Sequence, residues 1–162
     1  MVGAVVLAAG AASRFGSPKQ RLFLPSVLAA LGASAVEDLV VVAGAHQLDA
    51  GVRVVYCAEW EHGPGASLRC GLRALVGGVE AAVVVLADGP NLDPRAVDRV
   101  IAAWRDDVGD RLAATYDGVN RSHPVLLARR VWDAVPDTGA RAFAVTLVPC
   151  GDLRPPGDVD RR

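Results

Sequence analysis

The chain has 162 residues, 52% of them hydrophobic and only 5% aromatic, with a formal net charge of −1. That length suits a single domain over 1–162, with a core built from Val, Leu and Ala. Mixed charge of this balance points away from nucleic acid and membrane surfaces, and no apolar run reaches the ~18 residues of a membrane span. The first element, VGAVVLAA (2–9), is apolar on both faces and reads as a buried strand; it lacks the basic flank and length of a signal peptide. A loop over 7–20 follows, LAAGAASRFGSPKQ, with two glycines and the chain's one lysine, Lys19, against sixteen arginines. Pro25 and Ser26 then open a helix over 24–33, which Gly32 ends.

Strands are expected at 38–44 and 52–57. A helix over 65–77 has Ser67 near its start and Leu68, Leu72, Leu75 and Val76 on one face. A strand at 80–87 leads to a helix over 93–107, with Asp93 as N-cap, Pro94 in the first turn, and Val97, Val100, Ile101 and Trp104 inward. Weaker strand patterns lie at 111–116 and 123–128. The tail 154–162 reads either as a short last strand or as a frayed end. Cys57, Cys70 and Cys150 have no CxxC or metal spacing and read as plain core cysteines in a reducing compartment, the cytoplasm.

Strands alternating with helices imply βαβ units: an α/β fold, three layers (α/β/α) around a mostly parallel sheet. Ligands of such sheets bind beyond the carboxyl ends of the strands. Two of those ends are rich in polar chemistry, 7–20 and 87–91. The first is neither a dinucleotide fingerprint nor a Walker A loop. Gly10 is not followed by the Gly-x-Gly turn, five residues separate Gly10 from Gly16, and Lys19 stands three beyond. This argues against a nicotinamide-dependent oxidoreductase. Gly10 and Gly16 allow close backbone approach to an anion, Arg14 can fork two phosphate oxygens, and Lys19 is a compact point charge. The set suits a polyphosphate; the plain alternative is a surface turn with two solvated cations.

Other residues carry two readings each. Asp88 is either a turn residue or a ligand for a hard cation. Ser67 reads as a helix N-cap, compatible with a base contact. His123, extended before Pro124, is a packed strand residue or an acceptor contact. Arg141 binds an acceptor or lies on a solvated helix face. His46 and His62 read as surface loop residues, and Trp60, Trp104 and Trp132 as core or rim packing.

The loop LAAGAASRFGSPKQ resembles the signature LAAGxSxRxGxxK of nucleotidyltransferases with a glycosyltransferase-A-like, nucleotide-diphospho-sugar transferase fold. Further segments match in order: WEHGPGASLRCGL, VVLADGPNLDPRAV, NRSHPVLL, DTGARAF and GDVD. Together they resemble the MobA-like NTP transferases, most of all the molybdenum-cofactor cytidylyltransferases. The resemblance implies transfer of a nucleoside monophosphate, CMP before GMP, from a triphosphate to a phosphorylated small-molecule acceptor such as molybdopterin, with pyrophosphate leaving. It implies that the backbone of Leu7, Ala8 and Ala9 and the turn Gly65 to Ser67 face the base. Gly10, Arg14, Gly16 and Lys19 would hold the phosphates, and Asp88 with Asp158 or Asp160 would bind Mg²⁺. His123 and Arg141 would meet the acceptor.

The chain departs from the family pattern in places. The segment after Lys19 is short, Gly89 stands where a larger residue is common, Ser122 replaces a glycine, and two residues follow Asp160. These departures motivate a second expectation, a nucleotide-binding module with weak or lost catalysis. Oligomeric state has no readable signal.

Overall fold

The β-branched runs pair into one seven-stranded sheet of order β3-β2-β1-β4-β6-β5-β7 in a computed structural model that describes residues 1–8, 16–43 and 52–157, and only the backbone of 16–22. The strands are β1 (Val2–Leu7), β2 (Asp38–Ala43), β3 (Val54–Tyr56), β4 (Ala81–Leu86), β5 (Arg111–Thr115), β6 (Ser122–Ala128) and β7 (Thr146–Pro149). Neighbours are parallel except around β6, which runs antiparallel to both β4 and β5. The short turn from β5 to β6 leaves no length for a crossover, so the two strands form a hairpin. The expected mostly parallel three-layer α/β architecture is observed.

Alternation along the strands divides the core. Val2, Ala4, Val6, Val41, Val83, Val85, Leu112 and Leu126 face one side of the sheet. There they are covered by α1 (Gly16–Gly32) and α3 (Pro94–Arg105). Val5, Val40, Val42, Val84, Ala113 and Leu127 face the other side, under α2 (Pro64–Ala74) and the 3-10 helix Arg129–Ala134. Leu24, Val27 and Leu31 recur at helical spacing on α1 and are buried. On α2, Gly71 sets the depth: a Cβ there would lie 2.5 Å from Val5 Cγ1 and 2.7 Å from Val42 Cγ2. Only a residue without a side chain lets the helix sit this close.

Asp93 caps α3 as expected, its carboxylate accepting from the Arg95 N–H at 2.9 Å. Both weak strands, β5 and β6, are present. Trp132 is buried and donates its indole N–H to the Leu127 carbonyl at 2.9 Å, whereas Trp60 and Trp104 are half-buried.

Three expectations are corrected and one strand is added. The first helix begins at Gly16, not 24, and carries Pro25 in its interior. An interior proline removes one helical hydrogen bond, and burial of Leu24 and Val27 on the sheet holds the helix across it. α2 stops at Ala74, because the Asp38 carboxylate takes the Val76 N–H at 2.9 Å; Val76 is exposed. β7 went unpredicted: it is a four-residue edge strand ending on a proline, with one buried side chain, Val148. Finally, Cys57 and Cys70 form a disulfide with a Cα–Cα distance of 6.0 Å, while Cys150 is the free, buried cysteine. Sequence spacing could not show this pair, because only the turn from β3 into α2 brings the two positions together.

Candidate functional site

At the carboxyl edge of the sheet lies a cavity of about 990 Å³. Leu7 of β1, Val84, Val85 and Leu86 of β4 and Val125 of β6 form its floor. Pro64 and Leu68 of α2 form one wall. The β5–β6 hairpin, from Tyr116 to His123, the segment Thr138 to Arg141, and the tail Pro155 to Gly157 close the rest. This is the place where an open parallel sheet takes its ligands, because neighbouring crossovers part there.

Arginines secure these walls by donating to main-chain carbonyls. Arg69 of α2 donates to the Val135 carbonyl at 2.6 Å and pairs with Asp137 at 2.6 Å. Arg121 donates to the carbonyls of Ala140, at 3.1 Å, and Phe143. Arg99 of α3 donates to the Pro149 carbonyl at 3.2 Å and forks Asp152 at 2.6 and 2.7 Å, steadying the stretch that leads into the tail. A planar guanidinium presents several N–H donors in a fixed fork, which suits bridging a carbonyl and a carboxylate better than the compact ammonium of a lysine.

The hairpin tip is closed by Asp117. Its carboxylate accepts from the N–H groups of Val119 (2.8 Å) and Asn120 (2.7 Å) and from the Asn120 side chain (2.7 Å). Those bonds hold its carboxyl far below the usual carboxylate range, with the Asn120 N–H the largest cause. Burial pushes the Tyr116 phenol up, and its hydroxyl donates to the His123 carbonyl at 2.8 Å. Arg121 is half-buried, and desolvation lowers its pKa; among the described residues it has no carboxylate partner.

Leu7 ends β1 in the cavity floor, and the next residue, Ala8, donates to the Val42 carbonyl at 2.8 Å. Gly16 and Lys19 belong to the first turns of α1 rather than to a loop, and the side chain of Lys19 lies outside the described residues. Ala9, Gly10, Arg14, Asp158, Asp160 and His46 also lie outside them. Gly65 packs against the 136–137 backbone and donates its N–H to the Asp137 carbonyl at 2.8 Å. Ser67 is buried one turn inside α2, and Gly63, with φ +127°, takes the N-cap position instead. His123 and Arg141 both line the cavity, Arg141 on the 3-10 turn Ala140–Ala142. His62 lies in the 3-10 helix Trp60–His62.

Asp88 is half-buried and directly follows Ala87, whose N–H donates to the Leu7 carbonyl at 3.1 Å, so it stands beside the end of β1. The tail reaches the same place. Asn91 donates its N–H to the Pro156 carbonyl at 2.8 Å, and a Cβ on Gly89 would lie 3.3 Å from Pro156 Cβ and 3.5 Å from the Gly157 oxygen. Gly89 therefore lets the tail lie close, and the chain is anchored up to the residue before Asp158. Asp88 at this edge offers one carboxylate, the hard-oxygen donor type that divalent cations such as Mg²⁺ prefer. Among the described residues alone no cluster of three metal-ligating side chains occurs.

Tyr116, Asp117, Asn120, Arg121 and Thr138 also line the cavity; none is assigned a site role from sequence, although Asn120 and Arg121 lie in the matched segment NRSHPVLL and Thr138 in DTGARAF. The turn-forming run DGVNRS was the available signal for the hairpin tip; its contact with residues 140–143 through Arg121 has no local signal in the sequence.

No helix among the described residues is long and apolar enough to cross a membrane. No curated protein matches the chain. Solved structures do. Rv0371c of Mycobacterium tuberculosis in complex with manganese is 23% identical, covers 92% of this chain and 88% of its own, and gives a TM-score of 0.70. A nucleotidyl transferase from Methanothermobacter thermautotroptrophicus is 21% identical, with coverage of 88% and 79% and a TM-score of 0.68. The 4-diphosphocytidyl-2C-methyl-D-erythritol synthase of Anaerococcus prevotii is 15% identical, with coverage of 92% and 88% and a TM-score of 0.66. These likenesses establish the fold. The family model described as the MobA-like NTP transferase domain matches residues 4–144. With both ends of that match inside the sheet-and-cavity architecture, the chain belongs to the MobA-like NTP transferase family.

Proposed function

We propose that the protein transfers a nucleoside monophosphate, CMP in preference to GMP, from a nucleoside triphosphate to a phosphorylated small molecule, with molybdopterin the foremost acceptor. The observation that carries this reading is the cavity of about 990 Å³ at the carboxyl edge, lined at one end by Leu7 and at the other by His123 and Arg141. Its size suits a nucleotide with part of an acceptor. The LAAG form of the loop and the His-Pro strand support the cytidine preference by resemblance.

Nucleotidyl transfer depends on alignment and on neutralising charge, more than on covalent chemistry. Leu7, Ala8 and Ala9 and the first turn of α2, Gly65 to Ser67, border the base. Gly10 and Gly16 let backbone N–H groups approach the triphosphate, and Arg14 and Lys19 take up the charge that grows on departing pyrophosphate. Arg141 and His123 orient the acceptor phosphate, which is already ionised and needs no general base. Asp88, with Asp158 or Asp160, would hold Mg²⁺, which when bound offsets triphosphate charge. The manganese found with Rv0371c is consistent with a divalent-metal site here.

The test is a titration of CTP, GTP, ATP, UTP and NAD with Mg²⁺, followed by pyrophosphate release with molybdopterin and other phosphorylated acceptors. CTP-preferring turnover is the expected result. Triphosphate binding without turnover on any acceptor would instead identify a binding module, and NAD binding without triphosphate binding would overturn both.

A further inference from the structure

The segment Pro136 to Phe143 forms a wall of the cavity yet belongs to no strand or α-helix. Its centre is the single 3-10 turn Ala140–Ala142, entered through Gly139 at φ +95°. Such a turn has little stability of its own, since a few local bonds oppose the entropy of ordering it. Its internal bonds are the Ala142 N–H to the Gly139 carbonyl at 3.2 Å and the Phe143 N–H to the Ala140 carbonyl at 3.0 Å. At one end it is tied to α2 through Arg69 and Asp137. At the other end one side chain among the described residues hydrogen-bonds into it, Arg121, which reaches the carbonyls on both sides of Arg141.

Arg121 is well placed to act as a clamp. It directly follows the Asp117-closed turn, so its backbone is fixed by the hairpin. It is half-buried and lines the cavity, and its two bonds to neutral carbonyls do not balance its charge. A desolvated guanidinium held this way keeps further N–H donors and a positive potential on the cavity side.

We propose that Arg121 is a positioning residue. By donating to the carbonyls of Ala140 and Phe143 it fixes the turn that carries Arg141, and thereby sets the geometry of the acceptor end of the cavity. This rests on the nucleotidyl-transfer reading for its functional consequence, but not for its structural one. The triphosphate end, built on β1 and β4, does not depend on this clamp.

The experiment compares Arg121→Ala, Arg121→Lys, Arg141→Ala and the double variant Arg121→Ala/Arg141→Ala. Amide hydrogen exchange over 139–143 should speed up by about tenfold or more in Arg121→Ala, stay near the parent rate in Arg141→Ala, and fall between in Arg121→Lys. The KM for molybdopterin should rise about tenfold in Arg121→Ala with the KM for CTP unchanged. Millimolar guanidinium should recover part of that loss, and the double variant should be no worse than Arg141→Ala. Unchanged exchange in Arg121→Ala, or additive penalties in the double variant, would overturn the proposal. If no acceptor is turned over, the transfer reading fails, and exchange over 139–143 still decides the clamp. Arg121→Lys keeps the charge and guards against loss of folding in the alanine variant.

Discussion

Gly65→Ala sets two effects of opposite sign against each other. In a helix, alanine is favoured over glycine by about 1 kcal/mol. At this position, however, a methyl group would overlap the Pro136 carbonyl and lie 2.8 Å from the Asp137 carbonyl carbon. The obstacle is main chain, which cannot rotate aside as a side chain would, and Arg69 pins it from above. Overpacking of this kind costs about 1–3 kcal/mol. Strain on the Gly65 N–H bond to Asp137, 2.8 Å long, adds about 1 kcal/mol. The clash therefore wins, and the net loss is about 1–3 kcal/mol once the helix gain is subtracted. Each 1 kcal/mol moves Tm by roughly 2–4 °C in a chain of this size. Urea unfolding should show the lower midpoint, and CTP affinity should fall because the wall at 136–139 must shift. Gly32→Ala is the control, since a Cβ there meets nothing within 4 Å, and it should not destabilise. A Gly65→Ala protein as stable as its parent would refute the close-contact argument.

Lys19→Ala and Asp88→Ala should each lower pyrophosphate release by about a hundredfold or more while moving Tm little, and unchanged turnover in both would remove them from the site. Unfolding in reducing buffer should cost about 3 kcal/mol relative to oxidised protein, the scale for a loop closed across 13 residues, and Cys57→Ala should abolish that difference. Asp117 gives a pH signature. Its carboxyl lies below its unfolded value, so its contribution is full at neutral pH and fades as pH falls below about 3.9 toward the folded value. The stability gap between the parent and Asp117→Asn should therefore narrow on acidification; a gap that ignores pH would show that the hairpin tip does not need the charge.

Much of the fold was legible because its signals are local. β1, β2 and β4 are β-branched runs buried on both faces, and Asp93-Pro94 is a helix start written in adjacent residues. α1 was misread at its beginning, because Pro25 is a strong local start signal that packing of Leu24 and Val27 overrides. Ser67 was misread for the same kind of reason: a good capping residue lies one turn inside the helix that Gly63 starts.

The site divides along the same line. Two strand ends with polar chemistry, one lysine among sixteen arginines, and a Val- and Ala-rich core in a chain of net charge −1 are all legible in the residues alone. What the arginines hold together emerges only from the fold. Arg69, Arg99, Arg121 and Arg129 each reach main-chain carbonyls between 19 and 66 residues away, tying irregular segments to helices and strands. The fold also decides that Cys57 meets Cys70, and that Pro156 and Gly157 return beside Asp88. Such contacts depend on how layers stack and where loops return. A carbonyl is present in every residue, so no sequence pattern marks the one that a distant guanidinium will find.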